Sequence, residues 1–121
     1  FDDGFRGARR LLALPSAPTA IFGSNDEIAA GVLAAARSAG LNVPYDLSIA
    51  GFEDSPFSKQ SWPPLTTAKQ ATEDIASHAT RRLLQEIREQ QHGAPAASIP
   101  NEGFSPQLVV RGSTAPPRPK P

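Results

Sequence analysis

The sequence predicts an α/β domain with parallel strands and helices on both faces. Two observations carry this. Helix-type and strand-type segments alternate along the first half of the chain with short links between them. The strand-type segments are also continuously apolar rather than alternating, which is the pattern of strands covered on both sides. At 121 residues and 39% hydrophobic the chain has enough apolar material for a core.

Taken in order, Asp2 and Asp3 precede a helix-period run in which Phe5, Ala8, Leu11 and Leu12 share a face. Acids at that end suit the unpaired amides and positive dipole of a helix start, and Pro15 stops the run. Arg6, Arg9 and Arg10 fall on its solvated side. Thr19 to Phe22 is a short buried strand between Pro18 and Gly23. Ser24-Asn25-Asp26-Glu27 is a helix-capping cluster, and the helix after it carries Ile28, Ala29, Val32, Leu33 and Ala36 on one face. Gly40 stands where a left-handed C-terminal cap is needed.

Leu47 to Phe52 is a second buried strand, closed by the cap-like cluster Glu53-Asp54-Ser55-Pro56. A third short strand is expected at Leu65-Thr66-Thr67, after Trp62-Pro63-Pro64. From Thr72 a longer amphipathic helix runs to about Gln91, with Ile75, Ala79, Leu83 and Ile87 spaced by four, and Gly93 closes it. The segment 94–106 reads as irregular, 108–111 as a final strand, and the proline-rich end as a frayed tail. So few strands and helices leave much apolar surface uncovered, and the chain opens at Phe1 without a leader pattern. It reads as part of a larger domain.

Composition narrows the function. Twelve Lys+Arg balance 12 Asp+Glu, so the chain is a poor candidate for gripping a polyanion by itself. There is no cysteine, which excludes disulfides, thiolate nucleophiles and Cys-based zinc sites, and two histidines make no metal site. No stretch approaches the roughly 20 apolar residues that span a bilayer. Ser77 and His78 are neighbours on a helix and cannot face each other. His78 and His92 lack a recognisable carboxylate orienter and read as surface residues, and the glycines form no nucleotide cradle. No catalytic residue, metal or cofactor is assigned.

Open parallel sheets bind ligands beyond the carboxyl ends of their strands. Here that rule selects Ser24-Asn25-Asp26 and Glu53-Asp54-Ser55, with Gln70 just past the third strand. Amides and carboxylates on one rim suit a polar or polyhydroxylated small molecule. Each cluster has a plainer reading as a helix cap or turn.

The stretch from Pro18 to Gly31, PTAIFGSNDEIAAG, strongly resembles the effector-domain signature of the lactose/galactose-repressor (LacI/GalR) family of bacterial transcription regulators. Gly40 to Asp54, Pro63 to Gln70 and Leu108 to Thr114 resemble further segments of that family in the same order. The resemblance implies a three-layer, parallel-sheet lobe of the periplasmic-binding-protein-like (type I) kind, incomplete in this chain. Residues 1–67 would belong to its C-terminal lobe. Residues 68–113 would form a crossover, helix and terminal strand associated with the other lobe, and 114–121 a flexible tail.

The same resemblance implies that Asn25, Glu53 and Gln70 bind a small-molecule effector, a sugar or related metabolite. Asp26 would be the helix cap beside Asn25, and Glu53 stands one methylene longer than the family's usual aspartate. Phe1 lies about two residues too close to Gly4 to serve as the family's stacking aromatic. Ala29, Ala30, Ala34, Phe57 and Trp62 fall on surfaces by which such lobes form homodimers. Operator DNA would be read by a domain outside this chain, in the cytoplasm and away from any membrane. The other readings are a periplasmic-type sugar-binding protein of a transporter and an enzyme using Glu53 or Asp54 as a base.

Overall fold

The computed structural model describes residues 1–93 and 102–117. Helix α1 spans Asp2–Leu12, strand β1 Ala20–Phe22, helix α2 Asp26–Ser38, strand β2 Ser48–Ala50 and helix α3 Pro56–Gln60. They are followed by strand β3 Thr67–Lys69, helix α4 Thr72–Gln91 and strand β4 Gln107–Val109. The expected irregular stretch 94–106 lies outside the described residues up to 101, and the end of the expected tail lies outside them from 118. The chain divides into two compact units, residues 1–69 with 107–121, and residues 70–106.

The first unit is organised around α2. Its buried face is Ala29, Val32, Leu33, Ala35 and Ala36, which packs with Ala8, Leu47, Ile49 and Leu65. Small residues let α1 and α2 cross closely. A Cβ added at Gly31 would overlap the carbonyl oxygen of Phe1, and one added at Gly4 would overlap that of Ile28. Helix α2 then ends as its sequence requires. Gly40 takes φ +73, Leu41 N–H donates to Ala36 O and Gly40 N–H to Arg37 O, both at 3.0 Å, satisfying carbonyls the helix leaves unpaired.

Strands β1 and β2 pair in parallel, Ala20 opposite Ser48 and Phe22 opposite Ala50. Thr66 bridges in parallel to Ala50 on the other edge of β2, so β2 is central. Buried Ser113 locks the chain's last segment to the same edge. Its carbonyl accepts from Ile49 N–H at 2.8 Å, and its hydroxyl bonds Ile49 O and accepts from Thr66 N–H. Thr114 and Ala115 continue this attachment through bonds to Thr66 and Ser48.

Several expectations are corrected. Strand β1 is not covered on both sides: Ile21 packs against the core, while Ala20 and Phe22, on the opposite face, are exposed, Phe22 to 64%. The third strand sits at Thr67–Lys69, since Leu65 and Thr66 are consumed in contacts with α3 and β2. Strand β4 pairs with β3 antiparallel, Thr67 opposite Val109. Residues 92–106 lie between α4 and β4, and a return that long releases the constraint that makes short helix-to-strand links parallel. The short helix α3 was not expected; Pro56 at its first turn supplies a helical φ without needing a hydrogen bond. Ala29 is fully buried within the chain, so it is core rather than an interface residue.

The second unit is α4 with residues 102–106. None of the helix's residues is buried, and Ile75, Leu83, Leu84 and Ile87 of its apolar stripe are exposed. His78 is not the isolated surface residue expected: it pairs with Glu102 and meets the Phe104 ring edge-on, centroids 5.9 Å apart. Among the described residues no helix is long and apolar enough to cross a membrane.

Candidate functional site

Both clusters selected from the sequence lie at the carboxyl ends of the parallel pair. Gly23 N–H donates to Ala50 O at 2.8 Å, continuing the β1–β2 ladder past its last residue. Asp26 N–H then donates to Phe52 O at 3.0 Å. That bond ties the residue after Asn25 to the residue before Glu53, so the two loops share one rim. On the far side of β2, Gly51 N–H bonds Thr66 O and Glu53 N–H bonds Ala68 O, at 2.9 and 2.8 Å.

The capping role read for Asp26 falls to Asn25. Asn25 is the N-cap: its backbone is extended and its Oδ1 accepts the Ile28 amide at 2.8 Å. An oxygen there satisfies one of the unpaired donors of the first turn, worth about 1 kcal/mol. The side-chain amide nitrogen makes no bond among the described residues, and Asn25 is half-buried. It therefore presents a pair of fixed N–H donors at the rim.

Asp26 is not a cap but the hub of the loops. Fully buried, it accepts from Thr67 Oγ1 at 2.6 Å through Oδ1 and from Ser55 N–H at 2.7 Å through Oδ2. A buried carboxylate is tolerated only where such donors surround it. One side chain thus joins the start of α2 to the loop after β2 and to β3. Gly51 leaves it space, since a Cβ there would overlap Asp26 Oδ1.

Glu53 is exposed at the rim with φ +108, and Asp54 follows with φ +58. Aspartate is among the residues that tolerate the left-handed region, but a glutamate there is strained by about 1–3 kcal/mol. Asp54 is turned inward, its side chain 9% exposed, and meets Arg111 Nη2 at 2.5 Å. The hydrogen bond from Arg111 holds the Asp54 carboxyl below its usual pKa of 3.8. Burial opposes this, and the charges of Arg111 and Lys59 reinforce it. In the sequence Arg111 stands only as the end of a strand. An arginine closing an apolar run was the available signal, because such a residue needs a buried partner.

Gln70 is half-buried and opens the second unit, immediately after Lys69 of β3. The structure therefore brings Asn25 and Glu53 to one rim, and Gln70 follows the strand to which Glu53 is hydrogen-bonded. Among the described residues no three His, Asp or Glu side chains gather as a metal site. The rim offers amide donors and a carboxylate acceptor, which equips it to hold a polar molecule by hydrogen bonds.

Helices packed on a parallel strand pair, with the loops at its carboxyl ends gathered on one side, define an α/β unit of the kind that in open parallel sheets places ligands at those loops. Residues 2–114 match the family model of the periplasmic binding protein-like domain. The chain is 44% identical over 88 residues to the probable HTH-type transcriptional repressor ExuR of Bacillus subtilis, covering 73% of this chain and 26% of that protein. It superimposes on the lac repressor dimer bound to operator and the anti-inducer ONPF with a TM-score of 0.78. Identity there is 31%, covering 93% of this chain and 37% of that one. Against the transcriptional regulator CelR–cellobiose complex the TM-score is 0.81 at 27% identity, covering 93% and 33%. The chain belongs to the periplasmic binding protein-like domain family, as part of an effector-binding domain of the LacI type. It spans about a quarter to a third of the length of the curated relatives it matches.

Proposed function

We propose that the rim formed by residues 24–26 and 53–55 binds a sugar or related polar metabolite, and that this binding controls a transcriptional regulator. In this reading the amide nitrogen of Asn25 donates to a ligand oxygen, the Glu53 carboxylate accepts from a ligand hydroxyl or amine, and Gln70 adds a further amide. Residues 1–67 act as the C-terminal lobe, residues 68–113 as the crossover and its attachments to the other lobe, and 114–121 as a tail. A ligand that bridges the lobes favours one closure state by its differential affinity for the two states, and shifts nothing otherwise. A homodimer conveys that shift to operator DNA through a domain outside this chain, which suits its net charge of zero.

The observation that carries this reading is the 3.0 Å bond from Asp26 N–H to Phe52 O, which sets the Asn25 and Glu53 segments side by side. The relatives' names support it from a second direction: they are repressors and regulators, one of them in complex with cellobiose and another with operator. Repressor relatives favour regulation over transport and set the expected compartment as the cytoplasm. No bond is made or broken in this mechanism, so Glu53 acts as a ligand acceptor and not as a base.

A thermal-shift screen of the intact protein against cellobiose, sucrose and a panel of monosaccharides tests the reading. Binding to the folded state alone raises stability by about 2.7 kcal/mol at a ligand concentration 100 times Kd, so a true ligand gives a saturable rise in Tm. Glu53→Gln is expected to weaken that ligand, and neither form is expected to consume it. A flat response across the panel rejects the sugar class, and turnover abolished by Glu53→Gln rejects the binding role.

A further inference from the structure

We propose that Arg111 is a positioning residue for Glu53: its guanidinium, fixed outside the rim, holds the 53–54 turn in the conformation that presents the Glu53 carboxylate. This rests on the binding role given to Glu53 above and adds a residue that does not itself touch the ligand.

Two consecutive non-glycine residues, Glu53 and Asp54, have positive φ, and local preference alone would release both. The backbone bonds on the turn are unequal. Glu53 N–H donates to Ala68 O at 2.8 Å, whereas Asp54 N–H reaches Thr67 Oγ1 only at 3.4 Å. Ser55 N–H, next in the chain, is held by Asp26 Oδ2 at 2.7 Å, so the turn is pinned on either side of Asp54 and Asp54 itself is fixed through its side chain. Its carboxylate has three neighbours: Arg111 Nη2 at 2.5 Å, Ser58 Oγ at 3.3 Å and Lys59 Nζ at 3.7 Å. Lys59 is 60% exposed and meets the carboxylate only at 3.7 Å, a solvent-screened contact that constrains it weakly. Arg111 differs because it is also anchored away from the turn, at Leu65 and Thr66. Its Nη1 donates to Leu65 O at 3.0 Å and Ser58 Oγ at 3.1 Å, and its backbone N–H donates to Thr66 Oγ1 at 3.0 Å. Leu65 and Thr66 are themselves buried beside β2. A planar fork held at several points sets where its carboxylate partner lies, and this is what a flexible ammonium cannot do. The residue that aims Glu53 thus lies 58 positions further along the chain, in the segment that Ser113 locks to β2.

Amide hydrogen exchange on the full chain, with and without Arg111→Gln, tests this without any ligand. The expected result is exchange at the Glu53 and Asp54 amides about tenfold faster or more, with Gly23 and Ala39 unchanged as reporters of the β1–β2 ladder and α2. Unchanged protection at 53 and 54, or acceleration equal at all four amides, overturns the proposal, because a purely structural arginine would loosen the unit as a whole. Should Arg111→Gln fail to fold, Asp54→Asn weakens the same pair while leaving the other three Arg111 bonds, and the same local acceleration is expected. Calorimetry with the sugars of the screen separates the two readings. Local loosening together with weakened sugar binding supports both. Local loosening in a protein whose wild type binds no sugar keeps Arg111 as the holder of the turn and removes the sugar role of Glu53.

Discussion

At the scale of single residues, the most consequential side chain is one whose role the sequence hides. Asp26 is fully buried without an ion-pair partner among the described residues, and its two oxygens each accept one short bond. Removing it strands the Thr67 hydroxyl and the Ser55 amide in the interior, and each such group costs about 1–3 kcal/mol. Asp26→Ala is therefore expected to destabilise the first unit by about 2–4 kcal/mol in urea denaturation. A loss below 1 kcal/mol would mean the hub is dispensable. A sequence reading gives Asn25 and Asp26 equal claim to the cap, because both carry the right oxygen. Only the extended backbone at 25 decides, and it depends on the distant bond between Asp26 N–H and Phe52 O.

Asp54 adds a pH dependence whose sign follows from its partner. Its folded pKa is lowered by Arg111, so the pair's contribution is fully present above the ordinary carboxylate value and is lost as pH falls through the folded one. Stability measured across the acid range should fall below about pH 4, where the unfolded chain takes up this proton first. The fall should be shallower in Arg111→Gln. An identical acid limb in both proteins would contradict the assignment.

At the scale of elements, α2 shows what local pattern can and cannot specify. Its apolar face, its start at an Ser-Asn-Asp cluster and its glycine stop are all legible, since each follows from short-range rules. Its tight crossing with α1 is not legible, because Gly31 reads as a weak helix residue until Phe1 O is found against it. Gly31→Ala is helix-favouring in isolation, yet it must push α1 away. We expect a net loss of about 1–3 kcal/mol by thermal or urea unfolding, and a stabilised protein would show that the crossing is looser than described. Strand β4 was legible as a strand but not in its direction, which depends on residues far from it in sequence.

At the scale of the whole molecule, the signature segments and their order point to the family, and the family is confirmed over residues 2–114. The rim itself was legible because a general rule for parallel sheets selects it. The Asp54–Arg111 pair was not, because 56 residues separate the two in the sequence and nothing local marks them as partners. Helix α4, with an apolar stripe and no buried residue, shows the same limit: its periodicity predicts the helix and says nothing of what covers it.

The central claim is that the Asn25 amide holds a ligand at the rim, and it can be separated from the residue's structural role. Serine caps a helix about as well as asparagine but has no amide to donate. Calorimetric titration of the strongest sugar from the screen into the intact protein carrying Asn25→Ser should give an unchanged Tm without ligand. Affinity should weaken by about 1–3 kcal/mol, or roughly 5- to 150-fold. Wild-type affinity in that variant would show that Asn25 only caps α2, and the binding rim would have to be sought elsewhere.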